Sequence, residues 1–87
     1  MPELGRFRGI IIQMFFRDTG QHNKPHVHVK YGEYKASVAL DGEVLSGFLP
    51  AKQWRMVSGW LAAHEEEAYA AWNNAVQGID FEHIDGE

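Results

Sequence analysis

The stretch that decides the fold is residues 26–48, HVHVKYGEYKASVALDGEVLSGF. Apolar and polar side chains alternate through most of it, a pattern typical of β-strands that bury one face. Gly32-Glu33 and Asp41-Gly42 interrupt the alternation, and an Asp-Gly pair between such segments is a strong hairpin signal. The sequence therefore predicts an antiparallel meander whose strands are His26–Tyr31, Tyr34–Leu40 and Glu43–Phe48.

A fourth strand is predicted before this meander, in the apolar run of residues 6–17. The run is rich in isoleucine and phenylalanine, which favour strands. Residues 18–25 collect aspartate, glycine, asparagine and proline, so they are predicted to form a connecting loop. The sheet is thus predicted to span residues 6–48.

Strand alternation predicts that the two faces of this sheet differ in character. His26 and His28 share a face because successive side chains of a strand point to opposite sides. The residues predicted on this polar face are His26, His28, Lys30, Lys35, Ser37, Gln13 and Arg17. Valine, alanine and tyrosine dominate the opposite face in the meander, which should therefore be buried.

Residues 50–77 are predicted to form one long amphipathic helix, because apolar side chains recur there at alternating spacings of three and four. Gly78 ends it in a position where glycine is favoured. At about 42 Å the helix would be longer than a small sheet, which leaves room for a break near Gly59 or an overhanging end. Residues 79–87 are predicted to form a short acidic tail, with an alternation that would suit an edge strand.

These elements predict an α+β fold. We expect a four-stranded antiparallel β-meander with one long C-terminal helix packed on one face, in a single domain over residues 1–87.

Composition excludes several classes of protein. The chain has no cysteine, so disulfides, thiol catalysis and cysteine-ligated zinc are ruled out. No apolar run reaches the roughly 18 residues of a membrane span, and the N-terminus lacks the pattern of a signal peptide, so a cytoplasmic location is expected. The net charge of −4 argues against a general nucleic-acid binder.

The charge is polarised along the chain. Residues 6–35 contain six Lys or Arg residues and two acidic ones, whereas residues 64–87 contain seven acidic residues and no Lys or Arg. A small protein polarised in this way often meets a charged partner.

Three of the five histidines fall within seven residues and are the candidate functional residues. One neutral and one protonated imidazole can act as general base and general acid, and the ordinary histidine pKa of about 6.5 allows both forms near neutral pH. His26 and His28 are therefore the candidate catalytic pair of an RNA-cleaving or RNA-binding surface. The candidate binding residues around them are Arg17, Lys30, Lys35 and His22.

Metal binding is a second use of the same histidines. His22, His26 and His28 supply up to three imidazoles, enough for a zinc or iron site with an open position. The rest of the chain does not support such a site, so neither a metal nor another cofactor is expected. If a metal is present, these three histidines are its predicted ligands.

A third interpretation, which we favour, is binding without catalysis. His26 and His28 would then be outward polar residues of a strand, and His22 would cap the loop through side-chain hydrogen bonds. The same face would be where a partner protein binds. A homo-oligomer is an alternative, in which an edge strand at residues 10–16 or 43–48 pairs between two copies of the chain.

Three segments resemble those of a known family. Residues 23–34, NKPHVHVKYGEY, match the pattern Asn-Pro-Pro-His-Phe-His-Ala-x-Tyr-Gly-Glu-Tyr, with Lys24 in place of the first proline and Val27 in place of the aromatic residue. Residues 41–50 match its Asp-Gly-(Glu)-Val-Leu-x-Gly-x-Leu-Pro hairpin, and residues 57–72 match its helix. On these segments the chain resembles the bacterial domain of unknown function family 4160.

The resemblance implies a genomic context and no established activity. Similar proteins are often encoded in short operons beside another small domain and have been suggested to be parts of toxin–antitoxin-like modules. The expected partner is therefore a small protein encoded nearby. This context suits partner binding and RNA cleavage alike, although the acidic net charge makes nucleic acid the less favoured ligand.

Overall fold

The computed structural model describes residues 3–15 and 24–86. The elements, in chain order, are β1 (Glu3–Phe7), β2 (Ile10–Gln13), β3 (His26–Tyr31), β4 (Tyr34–Ala39), β5 (Val44–Gly47), α1 (Ala51–Ala63) and α2 (Glu65–Val76). The strands form one antiparallel sheet in the order β1-β2-β3-β4-β5. The predicted α+β class and antiparallel meander are therefore confirmed.

The predicted number of strands is wrong, because the apolar run at residues 6–17 contains a hairpin. β1 and β2 are joined at Arg8-Gly9, where φ is 48° and 79°. Phe7 pairs directly with Ile10, and two central residues with positive φ give a tight turn whose twist suits the flanking strands. Arginine is not a typical residue for such a turn, and the isoleucines after it made the run look like one strand.

The three strands predicted in residues 26–48 are confirmed to within one residue at each end. Met14 and Phe15, which belonged to the predicted first strand, follow β2 without being part of a strand. Residues 16–23, which hold the end of that predicted strand and most of the predicted loop, lie outside the described residues.

The strand register separates an apolar face from a polar one. Val27 pairs with Val38 and Val29 pairs with Ala36, and all four side chains are buried in one core that also contains Leu61 of α1. Full burial of a valine or leucine side chain contributes about 1.5–3 kcal/mol to folding. The two helices therefore pack on the apolar face and leave the part of the other face around His28 to functional side chains.

The single helix predicted over residues 50–77 is two helices, which meet at His64. His64 has φ −115° and ψ 29°, and its N–H donates to the Trp60 carbonyl, which ends α1. The residues in the first turn of α2 are Glu65, Glu66 and Glu67. Carboxylates are stabilised there by the positive end of the helix dipole, so the glutamate run marks the start of a helix. Within the described residues, no helix has the length and apolar character needed to cross a membrane.

The C-terminal segment, residues 79–86, runs beside β1 without forming a strand. The Ile84 N–H donates to the Leu4 carbonyl at 2.7 Å, and the Ile84 side chain is buried in the core. The Trp60 indole N–H donates to the Gly86 carbonyl at 3.1 Å. The predicted acidic tail is therefore held against the β1 edge of the sheet.

An ion pair between His83 and Glu3, at 2.7 Å, also holds this segment. The hydrogen bond with Glu3 raises the pKa of His83 above its ordinary 6.5. A hydrogen bond from Arg6, the larger cause, and one from His83 lower the pKa of Glu3 below its ordinary 4.5. The contribution of His83 to stability is complete below pH 6.5 and is lost as the pH rises through its raised pKa. The contribution of Glu3 is complete above pH 4.5 and is lost as the pH falls through its lowered pKa.

Attachment of the C-terminal segment should therefore be tightest between pH 4.5 and 6.5, where both contributions are complete. Hydrogen exchange of the Ile84 amide, corrected for the intrinsic effect of pH on exchange, measures this attachment. His83→Gln should lower the protection at pH 5.5 and remove its decrease above pH 6.5. Equal protection of the unmodified protein at pH 5.5 and pH 8 would contradict the role of the ion pair.

Gly47 and Gly59 should respond in opposite ways to replacement by alanine. Gly47 has φ 82°, and a Cβ there would overlap the Lys35 carbonyl, so Gly47→Ala should lower the free energy of unfolding by about 1–3 kcal/mol. Gly59 lies inside α1, and a Cβ there meets no atom within 4 Å, so Gly59→Ala should raise it by about 0.5–1 kcal/mol. Urea unfolding measures both variants. An increase for Gly47→Ala would contradict the close approach of β5 to Lys35, and a decrease for Gly59→Ala would contradict the open space beside Gly59.

Candidate functional site

The sheet face opposite the core, which we call the polar face, brings together side chains from four strands. One row across β2, β3, β4 and β5 consists of Gln13, His28, Ser37 and Ser46. The next row consists of Ile11, Lys30 and Lys35. Directly opposite residues of an antiparallel pair lie on the same face with their Cβ atoms about 4.5–5.5 Å apart. The register therefore collects residues that are distant in sequence into one small area.

Except for Ile11, the residues of these rows line a cleft of about 340 Å³, which we call the polar cleft. Phe15 forms part of its wall, and the centroid of its ring lies 4.5 Å from that of His28. His28 Nδ1 lies 3.4 Å from Ser37 Oγ, a long hydrogen bond. The cleft thus combines an aromatic wall with an imidazole, hydroxyl groups and two ammonium groups, those of Lys30 and Lys35.

Lys30 and Lys35 are directly opposite each other, so two positive charges are adjacent. Within residues 3–15 and 24–86, neither lysine forms an ion pair. Lys24 differs, because its ammonium lies 2.6 Å from an Asp41 oxygen and 2.8 Å from a Glu43 oxygen. The hydrogen bond that Lys24 donates to Asp41 lowers the pKa of the Asp41 carboxyl. The hydrogen bonds with Asp41 and Glu43 raise the pKa of the Lys24 ammonium. The polar cleft is therefore cationic, although the whole chain is acidic.

His26 is placed differently from His28, although both belong to β3. The His26 side chain is only 1% exposed, and its ring centroid lies 5.1 Å from that of Trp72 in α2. Its Nδ1–H donates to the Lys24 carbonyl at 2.8 Å. The two imidazole rings meet edge to face with centroids 5.2 Å apart. His28 lines the polar cleft, whereas His26 packs behind it against the second helix.

Two of the predicted site residues, Arg17 and His22, lie outside the described residues, so their predicted roles stay predictions. Among the described residues, no three His, Asp or Glu side chains are grouped so as to hold a metal ion. Because His26 Nδ1 donates a proton, only its Nε2 has the lone pair that a metal ligand needs. The three-histidine metal site therefore depends entirely on where His22 lies.

A second surface lies at the end of the sheet, along β5. Large apolar side chains are exposed there: Phe48 is 64% exposed, Val44 46% and Tyr34 37%. The Tyr34 and Phe48 rings pack with centroids 5.8 Å apart. Beside them is a groove of about 300 Å³, lined by Ala36, Val44, Gly47, Phe48, Leu49, Ala51 and Trp54. We call the exposed strand, these side chains and the groove the β5 edge surface.

The two edges of the sheet differ in how they are covered. Residues 79–86 lie against β1, where the Ile84 N–H donates a hydrogen bond to the Leu4 carbonyl. No described residue pairs with the outer side of β5. β5 itself, VLSG, contains no charged residue and no proline, which are two of the usual means of protecting an exposed strand edge.

Comparison with known proteins identifies the family of this chain. Residues 9–73 match the family model described as Domain of unknown function (DUF4160). The chain belongs to this family. Comparison with curated proteins and with solved structures gave no significant match.

The DUF4160 match covers both surfaces. The matched residues begin at Gly9, in the turn before β2, and end just after Trp72, which contacts His26. They include every described residue of the polar cleft and of the β5 edge surface. The C-terminal segment that covers β1 lies beyond it. The resemblance inferred from residues 23–34, 41–50 and 57–72 is therefore confirmed.

Sequence reasoning missed the aromatic and apolar side chains of the β5 edge surface. It recognised residues 43–48 as a candidate edge strand but assigned no role to Val44 or Phe48. A signal was present, because this strand is the last of a meander and has no charged residue from Val44 to Phe48. The last strand of a meander is an edge strand unless another segment returns to cover it.

The different burial of the two histidines should appear in stability. His26→Ala should lower the free energy of unfolding by about 2–4 kcal/mol, because it removes a buried ring and its hydrogen bond to Lys24. His28→Ala should lower it by less than about 1 kcal/mol, because the His28 side chain is partly exposed. Urea unfolding measures both, and equal losses would contradict the distinction.

Proposed function

We propose that this protein is a binding module whose partner is a small protein encoded beside it, and that the partner contacts the β5 edge surface. The observation that supports the proposal is the difference between the two sheet edges. The chain covers the β1 edge with its own residues 79–86, and it leaves the β5 edge with exposed apolar side chains.

An uncovered strand edge can bind another chain through its backbone. An extended segment adds to the sheet by main-chain hydrogen bonds, and pockets for alternate side chains give specificity. The groove between Phe48 and Trp54 lies next to β5 and is mainly apolar. It could therefore take an apolar side chain of a segment that runs along the strand.

The aromatic side chains supply the kind of contact that dominates protein interfaces. Tyr34 and Phe48 pack on each other at the edge, and Tyr31 stacks on Tyr34 with ring centroids 6.4 Å apart. Aromatic residues in the centre of an interface often account for most of the binding energy. Because these rings are already packed together, little side-chain freedom would be lost when a partner binds.

The operon context that the family resemblance implies agrees with this role. A component of a toxin–antitoxin-like module must bind its neighbour, whichever of the two proteins is the toxin. The proposal therefore needs no catalytic activity from this chain. It also explains why the exposed apolar side chains are concentrated along one edge.

RNA cleavage by a His26 and His28 pair has weaker support. General acid–base catalysis needs both groups within hydrogen-bond reach of the reacting atoms. His28 lines the polar cleft, but His26 is buried against Trp72 and donates a hydrogen bond to the backbone. An acid–base role for the pair would require His26 to leave these contacts.

The proposal is tested by expressing the protein together with the product of the neighbouring open reading frame. The two proteins should co-purify as a stable complex. Phe48→Asp and Val44→Asp should each weaken the complex at least tenfold, because each places a charge where apolar surface is buried. Both side chains are exposed in the free protein, so the variants should fold normally.

Ile79→Asp is the matched control, because Ile79 is also exposed, at 50%, but lies in the C-terminal segment. It should leave the affinity unchanged. Calorimetric titration measures all three variants. The proposal would be contradicted if the two proteins did not bind each other, or if this protein formed a homodimer through β5 instead of binding the neighbouring gene product.

A further inference from the structure

The polar cleft adjoins the β5 edge surface but has a chemistry of its own. We infer that it binds a small phosphorylated ligand about the size of a nucleotide, with the phosphate between Lys30 and Lys35. The argument rests on the charges, the hydrogen-bond donors and the dimensions of the cleft.

The charges come first. Like charges placed directly opposite each other on a sheet destabilise it, and Lys30 and Lys35 are such a pair. No carboxylate from the described part of the chain pairs with either of them. A phosphate monoester carries a charge of about −1.5 to −2 at neutral pH, so one such group would neutralise both ammonium groups.

The neighbouring row supplies hydrogen-bond donors from separate strands. The Gln13 and Ser37 side chains are each only 8% exposed and both line the cleft. The Gln13 amide makes no side-chain hydrogen bond with the residues that the structure describes, so its N–H groups are available to a ligand. Ser46 and His28 complete the row. Donors fixed on strands need little rearrangement to bind an anion.

The dimensions favour a small ligand over a polymer. A volume of about 340 Å³ is near the lower end of the range for small-molecule sites. The Phe15 ring provides an apolar wall on which a flat base can stack. Among the described residues, the cationic part of the cleft consists of two lysines. The whole chain has a charge of −4, which would repel a long nucleic acid outside the cleft.

The test is calorimetric or NMR titration of the untagged protein with uridine monophosphate, uridine, inorganic phosphate and a ten-nucleotide oligouridylate. Uridine monophosphate should bind one to one with a dissociation constant below about 1 mM. Inorganic phosphate should bind more weakly, and uridine should not bind measurably.

Lys30→Met and Lys35→Met should each weaken uridine monophosphate binding at least tenfold. Lys52→Met is the matched control, because Lys52 lies on α1 away from the cleft and also has no ion pair among the described residues. It removes the same charge from the protein and should change the affinity less than twofold. Without ligand, each cleft variant should unfold at the same temperature as the unmodified protein or higher, because the repulsion is relieved.

Several results would overturn the inference. One is a dissociation constant for uridine monophosphate above about 1 mM. Others are uridine or inorganic phosphate binding as tightly as the nucleotide, and an equal loss of affinity in Lys52→Met. Oligouridylate binding more than a hundredfold tighter than the mononucleotide would show an RNA-binding surface in place of a small-molecule site. A lower unfolding temperature in both cleft variants would show that the lysines are structural.

Discussion

The pairing of β3 with β4 is the constraint on which the rest of the structure depends. The turn at Gly32-Glu33 aligns six residue pairs, from Tyr31 with Tyr34 to His26 with Ala39. A shift of one residue would send every side chain of a strand to the other face. Lys30 would then enter the core, and an unpaired buried charge is costly. The same register that buries the valines therefore also places Lys30 opposite Lys35.

The two ends of the sheet show how the chain manages exposed strand edges. The C-terminal segment covers β1 through one backbone hydrogen bond, the buried Ile84 side chain and an ion pair. Both edge strands also have a bulge: the β1 register shifts between Glu3 and Gly5, and beside β5 Ser37 pairs with Ser46 while Val38 pairs with Val44. Bulges twist an edge and discourage indiscriminate pairing. An edge that is bulged but still apolar suits a selective contact better than open-ended association.

The meander and its two faces could be predicted because their signals are local. Alternation with period two and the breaks at Gly32-Glu33 and Asp41-Gly42 specify β3, β4 and β5 almost to the residue. The turn at Arg8-Gly9 was missed because a single glycine in an apolar run is a weak signal, and the positive φ of Arg8 is imposed by the pairing of the strands around it. The helix break, expected near Gly59, lies at His64 instead, and it was misplaced because the glutamate run suits an exposed helix face as well as a helix start.

The candidate site was predictable only in part, for a related reason. Alternation within β3 correctly puts His26 and His28 on one side of the strand, but burial depends on what packs over that side. α2 brings Trp72 onto His26 and leaves His28 in the polar cleft. No pattern within residues 26–31 predicts this difference in burial, because the difference depends on where α2, much later in the chain, begins and packs.

The polar cleft and the β5 edge surface are adjacent, and Gly47 lines both. Its φ of 82° brings the β5 backbone close against Lys35, so the geometry of the edge and that of the lysine pair are fixed together. A segment bound along β5 would contact the backbone that forms one wall of the cleft. Thermodynamic linkage then requires that any effect of a bound anion on partner affinity be matched by an equal effect of the partner on anion affinity. The bulged strand is therefore where a binding module of this fold would join ligand recognition to partner recognition.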